Sequence, residues 1–402
     1  MAESVIRDHF PSQTVSDAQK ASAEYGIQVG KAIQQEWFAG TGGQNQFLSS
    51  KNKFHKLRSY ARGEQSIQKY KDELSINGDL SYLNLDWKPV PIIPKFVDIV
   101  VNGISERTYD VKAYSQDPNG IAKRSKYMED ILTDMAAKEF NKQVEENFGI
   151  TVKRSSIQEL PETKEELDLH MQLSYKQEIE IAEEQAINVL MEGNRYELIK
   201  KQFYYDLTVL GIGATKTSYS TSEGITVDYV NPANLVYSYT ESPYFEDIYY
   251  VGEVKTIPIN ELVKQFPELT YEELEEVIKT KSYQNTNQGS GYRSDGDTDS
   301  NKIQVLYFNF KTYNHDVYKI KQTGSGGAKA ITKTDEFNPP QDKEGDFEKI
   351  SKAVEVLYEG AMVLGTSKLL SWQLAQNMVR PKSNYTKVKM NYSIVAPRMY
   401  LG

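Results

Sequence analysis

The residue groupings in this chain that could do chemistry are few, and each departs from the pattern its chemistry needs. Asp295-Gly296-Asp297-Thr298-Asp299 sets acids at the first, third and fifth positions of a calcium loop. Such a loop also needs glycine at its sixth position and a bidentate glutamate at its twelfth; Ser300 and Leu306 stand there instead. The expectation is a solvated loop. Gly211-Ile212-Gly213 resembles half of a dinucleotide fingerprint, but the third glycine would fall at Lys216, and the glycines follow a helical pattern rather than a strand. There is no Walker phosphate loop. The four histidines, His9, His55, His170 and His315, share no metal-ligand spacing. No serine sits in a nucleophile elbow, and there is no cysteine to replace it. The acid pairs Glu165-Glu166 and Glu272-Glu273 lie where helices begin, and the helix dipole accounts for them there. The sequence therefore predicts a protein that is not an enzyme. It predicts no catalytic, cofactor-binding or metal-binding residue and no cofactor.

The elements that would position any site belong to a folded chain of 402 residues, long enough for two or three domains. Its 39% hydrophobic and 26% charged residues exclude a disordered chain, and no apolar run approaches the ~20 residues that span a bilayer. The N-terminal residues lack the basic start and apolar core of a signal peptide. The absence of cysteine excludes disulfides and fits assembly in a reducing cytoplasm. A net charge of −9 is the opposite of what tight nucleic-acid binders carry. Tyrosine is abundant, 28 residues against 14 Phe and 3 Trp, which favours half-buried strand faces and a large protein interface.

Residues 1–50 read as an N-terminal arm in which Val15, Tyr25, Val29, Ile33 and Trp37 line one side of a helix before Gly40-Thr41-Gly42-Gly43. Residues 51–115 hold a basic helix, a Pro-rich extended segment and a helix–strand pair. Phe54, Leu57, Tyr60, Ile67 and Leu74 recur at helical spacing there, among Lys51, Lys53, Lys56, Arg58 and Arg62. Pro89, Pro91 and Pro94 force an extended entry to an apolar helix over Phe96–Ile104, and Arg107–Val111 is a strand candidate. Residues 116–210 form a helical region: one helix over 123–148, then a long one from Glu162 to about Glu192, interrupted at Gly193-Asn194 and resuming over 195–209. Residues 211–402 form a β-rich region. Its strands are expected at 224–230, 303–310 and 316–320, the last pairing back on its predecessor, with a hairpin over 354–364 turning at Glu359-Gly360. Thr270–Glu273 fits a capping box. Flexible loops are expected at 284–301 and 323–346.

Three ordered patterns give the chain a family resemblance. Tyr60 to Gln65 reads YARGEQ after a helix. Pro94 to Asn102 follows as an apolar helix leading to the strand candidate. Tyr204 to Glu253 then runs helix, glycine turn, hairpin, an Asn231-Pro232-Ala233-Asn234 corner, and a strand after the Pro243 loop. In this order the patterns resemble the portal proteins of tailed bacteriophages, most closely those of short-tailed phages including the crAss-like group. The resemblance covers residues 55 to 400. It implies an α+β fold: a portal-like wing of long helices and a β-rich layer, with the family's stem, clip and crown not included in this chain. It also implies a homo-oligomeric ring of about twelve subunits closed by heterologous contacts. Such a ring sits at the capsid vertex, with the major capsid protein, terminase and tail adaptor or connector proteins as partners. Double-stranded DNA passes through it during packaging and ejection, without sequence specificity and without a membrane. The implied localisation is the virion, assembled in the host bacterial cytoplasm. Another virion component, or a hydrolase built on an acidic pair, is the alternative.

Overall fold

The computed structural model describes residues 9–38, 46–64, 67–75, 90–106, 111–114, 117–150, 152–157, 159–173, 175–220, 224–275, 277, 301–322, 328–338, 347–381 and 384–397. Two compact units emerge: residues 1–106 with 198–402, and residues 107–197. The fold is α+β.

The first unit opens with α1 (Asp17–Lys20), α2 (Ala23–Phe38), α3 (Gln46–Ala61), α4 (Gln68–Leu74) and α5 (Ile93–Ser105). Ser16 caps α1 through its side chain, and Pro94 sits in the first turn of α5, where its missing N–H costs nothing. The second unit holds α6 (Pro118–Ala136), α7 (Lys138–Phe148), α8 (Lys164–Leu173) and α9 (Glu178–Gly193). Ile131, Leu167 and Met171 form its small core, with Tyr127, Leu132 and Met135 packed around them. Asp134 anchors the loop after α7: its carboxylate accepts the N–H groups of Arg154 and Ser155 and the Ser155 hydroxyl.

Two expected helices are each broken in this unit. The helix expected over 123–148 starts earlier, at Pro118, and divides at Ala137. The helix expected over 162–192 divides between Leu173 and Glu178. There Tyr175 leaves the helical path to stack on Tyr127, ring centres 4.3 Å apart, and Gln177 forms a capping box with Glu180 that restarts the chain as α9. The break expected at 193–194 is present, and α10 (Tyr196–Val209) follows it. Of the strand expected at 107–111, residues 107–110 lie outside the described residues and Val111 is in no strand.

The β region contains β1 (Gly213–Ser220), β2 (Gly224–Val230), a short 3-10 turn over Pro232–Asn234, β3 (Leu235–Tyr237), β4 (Tyr250–Pro258), α11 (Ile259–Gln265), β5 (Lys302–Gln322), β6 (Ala328–Lys333), β7 (Phe347–Val363), β8 (Leu369–Leu374) and β9 (Tyr392–Val395). One antiparallel sheet has the order β2-β1-β9; the larger runs β3-β4-β5-β7-β8, with β6 also on β5. The strands expected at 303–310 and 316–320 are one continuous β5, so the second does not fold back on the first. Its partner β7 likewise runs straight through the expected turn at Glu359-Gly360. The reversal comes later, at Gly365, whose φ of 80° suits glycine alone, with Thr366 N–H bonded to the Val363 carbonyl. Part of the loop expected at 323–346 is strand β6, whereas 284–300 lies outside the described residues.

The segment expected as an arm is part of the main core. Tyr25, Val29, Ile33 and Trp37 of α2 pack with Val236, Tyr250, Leu306, Phe308, Phe310 and Met362 of the large sheet, and Val15 joins them. At roughly 1.5–3 kcal/mol for each fully buried large apolar side chain, this seat supplies much of the unit's stabilisation. It is unusually close. A Cβ on Gly26 would lie 2.5 Å from the Trp372 ring, and one on Gly30 would lie 3.1 Å from Met362. Gly360 lies flat under the Phe308 ring, which is why a glycine stands mid-strand at the expected turn.

An exposed helical Gly→Ala change gains about 1 kcal/mol of stability. Gly26→Ala is expected to reverse that sign and cost about 1–3 kcal/mol through overpacking against Trp372. Urea unfolding checks it, and an unchanged or higher midpoint would show that the helix can lift without loss.

Candidate functional site

Among the described residues, those singled out for chemistry are not brought together. His170 pairs with the Tyr127 hydroxyl at 3.2 Å, and the backbone N–H of His315 donates to Asp17 at 2.9 Å. These are separate structural roles in different units. No group of three or more His, Cys, Asp or Glu side chains able to hold a metal occurs among the described residues. The acid-rich loop at 295–299 lies outside them. Gly211, with φ 79°, ends α10 by donating to Asp206 and Leu207 carbonyls, and Gly213 starts β1 against the Phe203 ring. Both glycines serve the helix-to-strand turn. Glu273 closes the expected capping box with Thr270 and pairs with Lys368. These bonds to Lys368 and to the Thr270 N–H hold its carboxyl down at about 2, so it is not poised as an acid.

The basic cluster of α3 does not present a uniform cationic face. Arg58 turns inward and grips Asp206 of α10 at 2.7 and 2.8 Å, and also meets the Tyr229 hydroxyl of β2 at 3.0 Å. Arg62 pairs locally with Glu64 at 3.0 Å, and the Lys56 ammonium lies over the Tyr60 ring. Asp206 is 1% exposed, and burial raises its carboxyl above the ordinary value against the opposing pull of Tyr229 and Arg58. An open cleft of about 420 Å³ adjoins this trio, lined also by Val101, Lys201, Gln202 and Tyr205. Arg58 and the Tyr229 hydroxyl both donate to the carboxylate, so the trio binds three elements together.

A second ionic cluster joins the two sheets, and the sequence reading missed it. Lys216 of β1 lies 5.5 and 5.2 Å from the Tyr307 and Tyr392 ring centres. Glu253 of β4 is 3% exposed, accepts the Tyr392 hydroxyl at 3.3 Å and lies 3.5 Å from Lys255. Glu359 of β7 accepts Asn391 at 2.5 Å. Burial lowers the Lys216 ammonium and raises the Glu253 carboxyl and Tyr392 hydroxyl. A lowered lysine beside a raised glutamate is the pattern of an acid–base pair. Here the two tyrosine rings cover the amine, and the contacts of Lys216 with Tyr307 and of Tyr392 with Glu253 pin one sheet to the other. The available signal was Lys216 itself, a charge inside an alternating strand.

The surface carries what the interior lacks. Along α5, Phe96 and Ile99 are 62% and 59% exposed, with Ile92, Ile93 and Val100 beside them. The helix rests on the unit through Val101 and Ser105, leaving the opposite side apolar and outward. No helix among the described residues is long and apolar enough to cross a membrane.

A scan against protein-family models finds no match, and a search of curated proteins finds none either.

Lys216→Met removes a cation that favours the charged form of buried Glu253, which keeps Lys255 at 3.5 Å and the Tyr392 hydroxyl at 3.3 Å. At pH 8 the change is expected to cost stability, but less than the roughly 3 kcal/mol of a broken buried ion pair. Glu253 titrates above its unfolded value of 4.5 in the folded protein, so its charged form is what needs the cation. The loss is full above the folded-state pKa and shrinks as pH falls through it toward 4.5, where the neutral carboxyl needs no partner. Urea unfolding at pH 5 and pH 8 checks this; a pH-independent loss would mean that packing alone is responsible.

Proposed function

We propose that this chain is a structural subunit of the ring-shaped portal at the capsid vertex of a tailed bacteriophage. In this reading about twelve copies close a ring through heterologous contacts. The ring is a conduit for DNA in packaging and ejection and docks terminase, tail adaptors and the capsid shell. The observation that supports the reading best is the outward apolar side of α5. It lies in the Pro94–Asn102 segment that carries part of the family pattern, and it is the kind of surface a subunit contact buries. The buried ionic clusters support it indirectly, because each is committed to holding elements together rather than to turnover.

Negative-stain electron microscopy of the purified protein tests the proposal. Rings of about twelve with a central hole are expected. Phe96→Asp combined with Ile99→Asp is expected to release monomers with an unchanged circular dichroism spectrum, since both side chains are exposed. Monomers from the unaltered protein would sink the ring reading. Rings that survive the double substitution would remove α5 from the contact.

A further inference from the structure

Three helices and a strand leave an open cleft of about 420 Å³ beside the Arg58–Asp206 pair. Val101 of α5, Tyr205 of α10 and Tyr229 of β2 bring apolar area to its lining, and Arg58, Lys201 and Gln202 bring hydrogen-bond donors. Lys201 and Tyr205 stand four residues apart on α10 and so share one side of that helix. Val101 is 8% exposed and forms part of the contact through which α5 rests on the unit, so this wall is fixed. Every lining residue belongs to the first unit, and the cleft needs no second copy to be complete.

The donors around this cleft are not used up. Arg58 meets Asp206 side-on through Nε and Nη2, and Nη2 also reaches the Tyr229 hydroxyl. Its remaining nitrogen, Nη1, carries two N–H groups with no acceptor among the described residues, and it is not sealed from solvent. The side chains of Lys201, Gln202 and Tyr205 likewise have no hydrogen-bond partner among the described residues. Burial raises the Tyr205 hydroxyl above its ordinary value, with Arg62 and Arg58 pulling the other way, so at neutral pH it is an uncharged donor. Asp206 spends its carboxylate on Arg58 and Tyr229. The lining therefore holds two cations against one carboxylate, a surplus of one positive charge. From outside the lining, Arg62 and Asp98 act on Tyr205 with opposite signs.

We propose that this cleft binds a small aromatic monocarboxylate, its ring against Val101 and the two tyrosines and its carboxylate on Lys201 and the Nη1 edge of Arg58. The volume falls within the range of small-molecule sites, roughly 300–1,000 Å³, and such sites combine apolar walls with a few convergent polar groups. Charge selects among anions. A phosphate dianion brings more negative charge than the lining offsets and would stand beside the Asp206 carboxylate, whereas a monocarboxylate matches the surplus. The planar edge of a guanidinium also suits the two oxygens of a carboxylate. The tyrosines select the body of the ligand, since a ring gains offset or edge contacts with them that an aliphatic chain forgoes.

The test is isothermal titration calorimetry of the full chain with phenylacetate. One site per chain is expected, with a Kd at or below about 1 mM. Phenylacetamide lacks the charge and acetate lacks the ring, and each should bind about tenfold more weakly or worse. Lys201→Gln should weaken phenylacetate about fivefold, and Lys201→Arg should keep the affinity. Lys201 is exposed, so neither change threatens the fold. Lys264→Gln on α11, an exposed lysine that does not line the cleft, should change nothing. No binding of phenylacetate up to about 10 mM, equal binding of acid and amide, or an equal loss in Lys264→Gln would overturn the proposal. So would tighter binding of a short peptide ending in phenylalanine, which would assign the cleft to a chain terminus instead of a small molecule.

Discussion

The first unit depends on one close approach, that of α2 to the large sheet. Gly26 and Gly30 lie one turn apart on the helix, and Gly252 and Gly360 lie on the strands beneath. These four positions without a Cβ let Trp372, Phe308, Met362 and Ile33 fill the space that side chains would otherwise hold apart. Phe308 is the centre of this arrangement, with its ring against Gly360 on one side and near Gly30 on the other. Trp372 stacks on Tyr358 at 4.9 Å and donates its indole N–H to the Lys20 carbonyl, fixing where α2 begins. Glycine weakens both helix and strand by about 0.5–1 kcal/mol, a cost that the dense aromatic contacts must exceed.

The length of β5 follows from a second constraint, that backbone polar groups must find partners when buried. β7 satisfies one edge over seventeen consecutive pairs, from Val305 to Lys321. On the other edge β4 ends its pairing at Phe310 and β6 begins at Val317, leaving a gap. The side chains of α1 fill it: Asp17 accepts the His315 N–H, and the Lys20 ammonium donates to the Tyr313 carbonyl. A fully buried lysine is thereby retained, its ammonium pushed down by burial and only partly restored by Asp17. A single helical turn thus stands in for a missing strand, and a 21-residue strand can run on to pair with β6.

Local chemistry in the sequence marked much of this. The α2 stripe, the glycine turn at Gly211, the Asn231-Pro232-Ala233-Asn234 corner and the Thr270 capping box were legible because each depends on neighbours a few residues away. What was not legible depended on distant ones. Asp316–Ile320 looked like a separate strand because nothing local indicates that α1 completes its edge. Gly360 looked like a turn because the Phe308 ring that requires it is far off in sequence. The helix over 162–192 looked continuous because the stacking of Tyr175 on Tyr127 belongs to tertiary packing. The apolar run of α5 was visible as composition but not as an exposed face.

Perturbed titratable groups ordinarily direct attention to a catalytic cleft. In this chain they point inward, to junctions. Arg58 and Asp206 lock α3 and α10 to β2; Lys216 over the Tyr307 ring, and the Tyr392 hydroxyl on Glu253, lock one sheet to the other. A buried ion pair is weak support for stability, yet it penalises any packing that leaves one partner unpaired, so such pairs fix how elements meet. The surface has the opposite character. On α5 large apolar side chains face solvent, a local cost that folding alone leaves uncompensated. Costs of this kind persist where binding offsets them. The interior is thus specified by where its buried charges meet their partners, and the outward side of α5 is where apolar area is left over.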